Sequence, residues 1–267
     1  RMGEVDLRRW IRIVGGTISA SQGRNLSSRE AEEVFALMLE GGGTDGQIGA
    51  FLSVIRGRGP AADELVGFAR AARKRLSFPR LPEHSVVVAT TRLGKLQSPP
   101  IGLASAAAAA AVGAKVLVQA TGRVPDGGPT LGDLWQHQVG AQCSSAAEAE
   151  RDLKRRGLAC WCPTQDDTGW ERLLRVEEEV GLRSLPDQVS KLLAPADAPL
   201  LVPSMPGPVL GLAGEALASL GHQRCIILQG VEGSIDPSVV ERSRGMLLEE
   251  GMKSPLRLQP ADLGLDW

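Results

Sequence analysis

The sequence predicts an α/β protein that begins with a small all-α domain. Two observations support this class. Residues 1–80 show helical periodicity, whereas after Pro79 and Pro82 short apolar runs alternate with helical segments. The chain of 267 residues is 43% apolar, which is enough to bury one large or two modest cores. Aromatic residues make up 3% and tyrosine is absent, so we expect cores filled by Leu, Val, Ile and Ala.

Three helices are predicted in the first part of the chain. Ser27 and Glu30 have the spacing of a capping box, and apolar residues then recur at intervals of three and four until Gly41–Gly43. A second helix is predicted from Asp45 to about residue 56. A third begins near Pro60, because proline favours the first turn of a helix. Together they form a helical domain that contains three of the four phenylalanines.

Strands and helices alternate in the remainder of the chain. β-Branched and apolar runs predict strands at residues 85–89, 115–118, 158–162, 200–202 and 224–229. Helical patterns lie at 102–112, 146–156 and 208–220. This order predicts a mostly parallel sheet.

A charged helical stretch at 170–193 interrupts this alternation. We expect it to pack back on the N-terminal helices. The predicted domains are therefore a helical domain of residues 1–80 with 168–194, and an α/β domain of residues 81–167 and 195–267.

Charge and cysteine content exclude some classes of protein. Thirty Lys and Arg nearly balance thirty-one Asp and Glu, so any surface that binds a polyanion must be local. The four cysteines contain no CxxC pair, which favours reduced thiols in a cytoplasmic protein. The alanine-rich run 101–118 is interrupted by Gly113 and Lys115 and does not predict a membrane span, so we expect no membrane partner.

Several separated segments resemble one enzyme family. Residues 26–73, with Gly46–Leu52 and Asp63–Gly67, are similar to the N-terminal helical domain of anthranilate phosphoribosyltransferase and its glycosyltransferase family 3 relatives. The segments 104–113, 181–196, 230–236 and 258–265 resemble later motifs of that family in order and spacing.

The resemblance implies a nucleoside phosphorylase/phosphoribosyltransferase class III-like fold, with a cleft between the two domains. It also implies a homodimer, and a pentosyltransferase that uses phosphoribosyl pyrophosphate and Mg²⁺. Family members continue beyond the point that matches Trp267, so we expect the α/β domain to lack a C-terminal segment.

The family's phosphate loop, Gly-Thr-Gly-Gly-Asp, matches a stretch that is only partly preserved. Thr91 and Gly94 remain, and Arg92 and Lys95 add cations that could contact phosphate. The alternative is an ordinary strand-to-helix loop with two basic residues. The family's Asn-x-Ser-Thr matches Pro100–Leu103, whose side chains have no donor.

The ribose, acceptor and metal motifs have also diverged. Gly122 and Arg123 remain from the stretch that approaches the ribose. In the acceptor region, which also includes Arg183, Glu178 replaces the arginine that holds the carboxylate of anthranilate, so anthranilate is disfavoured. Asp236 is the expected metal ligand and Glu232 a substitute, which predicts Mg²⁺ binding that is weak without a substrate phosphate.

These matches predict phosphoribosyl transfer from phosphoribosyl pyrophosphate, or binding of another phosphate-bearing ligand, with an unidentified acceptor. The alternative function is a non-catalytic homodimer that binds DNA or RNA in a basic groove, as some divergent members of the family do. The candidate residues for such a groove are Arg70, Arg73, Lys74, Arg75, Lys154, Arg155 and Arg156. A simpler explanation for residues 70–75 is the solvated end of a helix.

Overall fold

The computed structural model describes residues 6–17, 22–122, 124–204 and 209–264. The chain divides into two compact units. The first, the helical unit, comprises Arg1–Leu76 and Asp166–Leu193. The second, the α/β unit, comprises Ser77–Gln165 and Ala194–Trp267.

The helices and strands of the described residues follow in chain order. The helices are α1 (Arg8–Gly15), α2 (Ser28–Leu39), α3 (Asp45–Arg58), α4 (Ala62–Arg73), α5 (Gly102–Ala111), α6 (Leu131–Gln138), α7 (Ala146–Arg156), α8 (Thr168–Val180), α9 (Leu185–Ser190) and α10 (Leu210–Ser219). The strands are β1 (Ser85–Ala89), β2 (Lys115–Gln119), β3 (Leu158–Trp161), β4 (Leu200–Pro203), β5 (Arg224–Gln229), β6 (Ser243–Glu249) and β7 (Met252–Leu258). No helix in this part of the chain is long and apolar enough to span a bilayer.

The predicted start of α2 is confirmed by its hydrogen bonds. The Ser27 hydroxyl accepts from the backbone N–H of Glu30, and the Glu30 carboxylate accepts from the backbone N–H of Ser27. Thr44 and Gln47 form the same box at the start of α3. Each box satisfies backbone donors that the first turn of a helix leaves open.

Aromatic rings form the centre of the helical unit. Phe68 of α4 lies 5.3 Å from Phe35 of α2 and 6.3 Å from Phe51 of α3, measured between ring centroids. Trp170 of α8 contacts the edge of this group, 6.2 Å from Phe35. Three of the four phenylalanines are therefore concentrated where helices cross, and α8 belongs to the same core.

A seven-stranded sheet forms the α/β unit, in the order β3-β2-β1-β4-β5-β6-β7. The five strands from β1 to β5 are parallel to one another, which confirms the predicted mostly parallel sheet. α5 packs on β2, α7 on β3, and α10 on β5 and β6. The strands β1, β2 and β3 are buried nearly throughout, as is typical of parallel strands covered on both faces.

The antiparallel strands β6 and β7 were not predicted from the sequence. They form a hairpin in which Ser243 pairs with Leu258 and Glu249 with Met252. Its two turn residues, Glu250 and Gly251, have φ of 48° and 81°, as hairpins with primed turns demand. Gly251 was the one local indication of a hairpin turn. The strand β7 is largely exposed, so its sequence has no clear apolar pattern that would predict a strand.

Candidate functional site

The order of strands places a topological switch point beside β1. From β1 the chain proceeds to β2 and β3 on one side, and then to β4 and β5 on the other. Open α/β sheets bind ligands at such a point, beyond the carboxyl ends of the strands. A pocket lies there, with Ala89 at the end of β1 and Pro203 at the end of β4 in its wall. Its free space of about 20 Å³ has room for a single water molecule.

The loop after β1 packs against protein rather than standing open. The Thr90 hydroxyl donates to the carbonyl of Gln119 at 3.1 Å, and the Thr91 hydroxyl accepts from the backbone N–H of Leu93 at 3.2 Å. Thr91 lines the pocket and is buried. The hydroxyls thus hold the loop in shape and place Thr91 in the pocket wall.

Gly94 has a structural reason to be glycine. Its φ is 65°, and a Cβ there would lie 2.0 Å from the carbonyl oxygen of Gly128. A Cβ on Gly128 would in turn lie 2.0 Å from the carbonyl oxygen of Lys95. The absent side chains let two loops of the protein meet, which is a different use from the close approach to phosphate that the family motif implies.

Lys95 and Asp236 form a buried ion pair in the pocket wall. Lys95 Nζ lies 2.6 Å from Asp236 Oδ2, and the two side chains are 5% and 9% exposed. Among the described residues that line the pocket, Lys95 is the one cation and Asp236 the one anion. The residues predicted for phosphate and for metal are therefore paired with each other.

Glu232 stabilises the continuation of the loop after Lys95 by accepting hydrogen bonds. Its carboxylate accepts hydrogen bonds from the backbone N–H groups of Leu96, Gln97 and Ser98, and from the Ser98 hydroxyl at 2.7 Å. Partial burial opposes ionisation, but these hydrogen bonds outweigh it and lower the pKa of Glu232 to about 2. Glu232 also has a φ of 55°, an uncommon backbone conformation for a residue other than glycine.

The two predicted metal ligands do not fit a metal site as they are arranged. Asp236 Oδ2 accepts from the buried ammonium group of Lys95, and both oxygens of Glu232 accept from loop donors. Within residues 6–17, 22–122, 124–204 and 209–264, no group of three or more His, Cys, Asp or Glu side chains is placed to hold an ion. Mg²⁺ prefers an octahedral set of oxygen ligands, so the residues present do not form its site.

The remaining predicted phosphate and ribose residues are less informative. The side chain of Arg92 is 3% exposed, and its carbonyl accepts from the backbone N–H of Val124. Gly122 is exposed beyond the end of β2. Arg123 lies outside the described residues. Arg92 thus contributes to the packing of the loop.

The predicted acceptor residues belong to the helical unit. Glu178 is exposed on α8. Arg183 follows α8, and its Nη1 lies 3.9 Å from Asp187 Oδ2, which also pairs with Lys191 at 3.4 Å. Their roles toward an acceptor stay predictions.

The arginine clusters proposed for nucleic acid are largely compensated by neighbouring acceptors. In the helical unit Arg75 makes two hydrogen bonds to Asp167, at 2.7 and 3.0 Å, and Lys74 pairs with Glu32. Arg73 donates to the carbonyl of Leu192, and Arg70 is exposed.

In the α/β unit Arg155 and Arg156 share Asp152, and Lys154 is exposed. A surface that binds a polyanion needs uncompensated cations together. The described contacts give no support to the basic groove.

The loop at residues 128–131 is a part of the pocket wall that lies outside the predicted site residues. Pro129, Thr130 and Leu131 line the pocket. Thr130 caps α6 by accepting from the backbone N–H of Asp133. Glycines in the sequence of this loop indicate a turn, but its contact with Gly94 exists only in the folded protein.

A helical unit together with a mixed α/β sheet, whose pocket lies at the switch point, defines a phosphoribosyltransferase-like fold. Solved structures agree. Anthranilate phosphoribosyltransferase from Thermus thermophilus matches with a TM-score of 0.76 at 20% identity, covering 91% of this chain and 72% of that one. The enzyme from Saccharomyces cerevisiae, in complex with phosphoribosyl pyrophosphate and Mg, matches with 0.77 at 14% identity, covering 97% and 74%.

Sequence comparisons identify the family. Residues 19–76 match the helical bundle domain of the glycosyl transferase family. The anthranilate phosphoribosyltransferase of Methanothermobacter marburgensis is 30% identical over 255 residues, which cover 91% of this chain and 71% of that protein. The one from Moorella thermoacetica is 26% identical, with 91% and 72% covered. The chain belongs to the anthranilate phosphoribosyltransferase family, and this homology supports a phosphoribosyltransferase-like function.

Proposed function

We propose that this chain binds phosphoribosyl pyrophosphate at the switch-point pocket and transfers the phosphoribosyl group to an acceptor other than anthranilate. The observation that supports the proposal is the position of Lys95, a buried ammonium group in a pocket beyond the carboxyl ends of β1 and β4. A buried ammonium attracts a phosphate group more strongly than an exposed one, because little water screens it.

The chain's own residues would first bind and orient the donor. Lys95 would contact a phosphate oxygen, and the Thr91 hydroxyl in the pocket wall is a second donor of the right kind. A ligand of this size exceeds the present free space of about 20 Å³, so its binding requires the loop of residues 90–98 to move. Closure of that loop over the ligand would exclude water from the anomeric carbon, where pyrophosphate leaves.

Glu178 motivates the choice of acceptor. The family resemblance assigns its position to an arginine that holds the carboxylate of anthranilate. A carboxylate at that position would repel an anionic acceptor and favour a neutral or cationic one. Glu178 is exposed on α8, so it is accessible to a small molecule.

Calorimetric titration with phosphoribosyl pyrophosphate tests donor binding. We expect wild-type protein to bind and Lys95→Met to bind at least about tenfold more weakly, since a hydrogen bond to a charged group is lost. Lys115→Met is the matched control, because Lys115 lies at the amino end of β2, whereas the pocket lies beyond the carboxyl ends of the strands. Absence of heat with the wild-type protein would refute the proposal.

Product formation tests the acceptor. Incubation with phosphoribosyl pyrophosphate and anthranilate should yield no phosphoribosylated anthranilate, whereas Glu178→Arg should gain or increase that reaction. Turnover of anthranilate by the wild-type protein would contradict the assignment of Glu178. Homodimer formation stays a prediction, and no observation on the described residues favours the nucleic-acid alternative.

A further inference from the structure

The pocket has a cation of its own where the family resemblance implies a metal ion. Asp236, the expected metal ligand, lies 2.6 Å from Lys95 Nζ. Glu232, the expected substitute, uses both carboxylate oxygens to accept hydrogen bonds from residues 96–98. A metal could bind Glu232 only by breaking these contacts, and it could bind Asp236 only beside the ammonium group of Lys95.

Lys95 meets the requirements of a ligand-binding cation. It lines the pocket and is buried, and an ammonium group carries three N–H donors. Asp236 Oδ2 is its hydrogen-bond partner among the described residues, so the group has further donors to offer a phosphate oxygen. Asp236 holds the ammonium group in the pocket wall and lowers the cost of burying it.

A divalent metal at Asp236 would conflict with this arrangement. A metal on Asp236 Oδ1 would place a dication beside the buried ammonium group of Lys95, and a metal on Oδ2 would displace that group. Like charges at contact distance in a buried site are unfavourable. A metal on Glu232 would instead leave three consecutive N–H groups of the loop without their acceptor.

We propose that Lys95 replaces the divalent metal in this chain, so that the pocket binds a diphosphate group without Mg²⁺. The inference rests on the proposed function, since it concerns the same pocket and the same ligand. It assigns Asp236 a role in positioning Lys95 rather than in coordinating a metal. It also implies that the metal-free diphosphate, which carries more negative charge than its Mg²⁺ complex, binds at least as well.

The primary test compares the affinity of wild-type protein for phosphoribosyl pyrophosphate, and separately for inorganic pyrophosphate, in excess Mg²⁺ and in excess EDTA. We expect affinity in EDTA to equal or exceed that in Mg²⁺. Binding that is weaker in EDTA by more than about threefold, a difference well beyond calorimetric error, would overturn the inference and leave the proposed function standing. Absence of binding in both conditions would refute the proposed function and this inference together.

Two variants separate the roles of the paired residues. Asp236→Asn keeps an oxygen that accepts from Lys95 and so can still position it, but it removes the competing negative charge, so pyrophosphate should bind in EDTA more tightly than to wild type. A loss of binding in this variant, together with a loss of any response to Mg²⁺, would identify Asp236 as a metal ligand and overturn the inference.

The double variant Lys95→Met/Asp236→Leu removes both charges and so avoids an unpaired buried ion. It should keep the unfolding midpoint of the wild-type protein and lose at least about tenfold in affinity for pyrophosphate in EDTA. Unchanged affinity would overturn the inference. Lys115→Met serves again as the control, with no expected change.

Discussion

Each unit contains a buried ion pair that invites comparison, and the two pairs differ in how completely they are satisfied. In the helical unit Glu64 is fully buried and accepts from both arms of the Arg58 guanidinium. It also accepts from the backbone N–H groups of Leu26 and Ala61, each at 2.8 Å. In the α/β unit Lys95 and Asp236 share a single hydrogen bond beside a pocket.

The difference indicates what each pair is for. A carboxylate whose lone pairs are all used by protein donors has nothing left for a ligand, so the Arg58–Glu64 pair stabilises the helical unit. A pair with one shared hydrogen bond costs more to bury than it returns, unless something else is gained. For Lys95 and Asp236 the gain would be ligand binding, since the remaining N–H donors of Lys95 lie in the wall of the switch-point pocket.

The largest expected effect comes from breaking the fully satisfied pair. Glu64→Ala should lower the free energy of unfolding by about 2–4 kcal/mol, because the backbone N–H groups of Leu26 and Ala61 lose their acceptor, whereas the partly exposed Arg58 keeps its hydrogen bond to Asn25. Urea unfolding measures this change. Glu33→Ala is the control, since its pair with Arg29 is exposed and should be worth no more than about 0.5 kcal/mol. A loss for Glu64→Ala as small as that of the control would contradict the contrast between the pairs.

Removing both members of each pair sharpens the comparison. Lys95→Met/Asp236→Leu should stay within about 1 kcal/mol of wild type, because apolar residues replace a pair that is nearly neutral for stability. Arg58→Met/Glu64→Leu should still lose at least about 2 kcal/mol, because the N–H groups of Leu26 and Ala61 lose their acceptor. Equal losses of unfolding free energy in the two double variants would contradict the difference between the pairs.

Close backbone contacts in the two units predict intermediate effects. A Cβ on Gly67 would lie 2.1 Å from the carbonyl oxygen of Ser28, where α4 crosses α2. Gly67→Ala and Gly94→Ala should each destabilise by about 1–3 kcal/mol, and Gly94→Ala more, because its φ of 65° adds strain. In Gly214→Ala the new methyl meets the flexible Met246 side chain, so this control should lose less when thermal unfolding is compared.

The smallest expected effect is a dependence on pH. The pKa of Glu232 is lowered from 4.5 to about 2 in the folded protein. Its contribution to stability is therefore complete above about pH 4.5 and is lost as the pH falls toward 2. Glu232→Gln should flatten the stability profile in that window.

Glu30 of the helical unit is the matched case for this test. Hydrogen bonds from Arg24 and Ser27 lower its pKa to about 2 as well. Glu30→Gln should flatten the same window, since this carboxylate is also held ionised by its hydrogen bonds, chiefly those from Arg24. Urea midpoints measured along the pH series would contradict the prediction if either variant kept the wild-type slope.

Local signals predicted most of the fold. The capping box of Ser27 and Glu30 and the apolar spacing that follows it were sufficient for α2, because helix ends are determined by residues within one turn. The strands β1 to β5 were identified from their apolar runs, because parallel strands are buried on both faces. The β6–β7 hairpin was missed, since an exposed edge strand has no such run.

The site was predicted as separate residues and not as an arrangement. Thr91, Gly94 and Asp236 were selected by their place in the family motifs, and Lys95 and Glu232 by their charge beside those motifs. That Lys95 pairs with Asp236, 141 residues later, has no signature in local sequence. The same holds for Gly94 and Gly128, whose contact depends on two loops that meet only in the folded protein.

By itself, the sequence determined the family and the parallel strands β1 to β5, and it nominated residues for a phosphate site, because each depends on neighbouring residues or on ordered motifs. Only the tertiary structure decided how those residues are used. In the folded protein Lys95, predicted for phosphate, and Asp236, predicted for metal, form one buried ion pair. Glu232 accepts hydrogen bonds from the loop of residues 96–98. The physical reason is that burying an unpaired charge costs free energy, so a buried charge needs an opposite charge nearby in the folded structure, and that partner can lie anywhere along the chain.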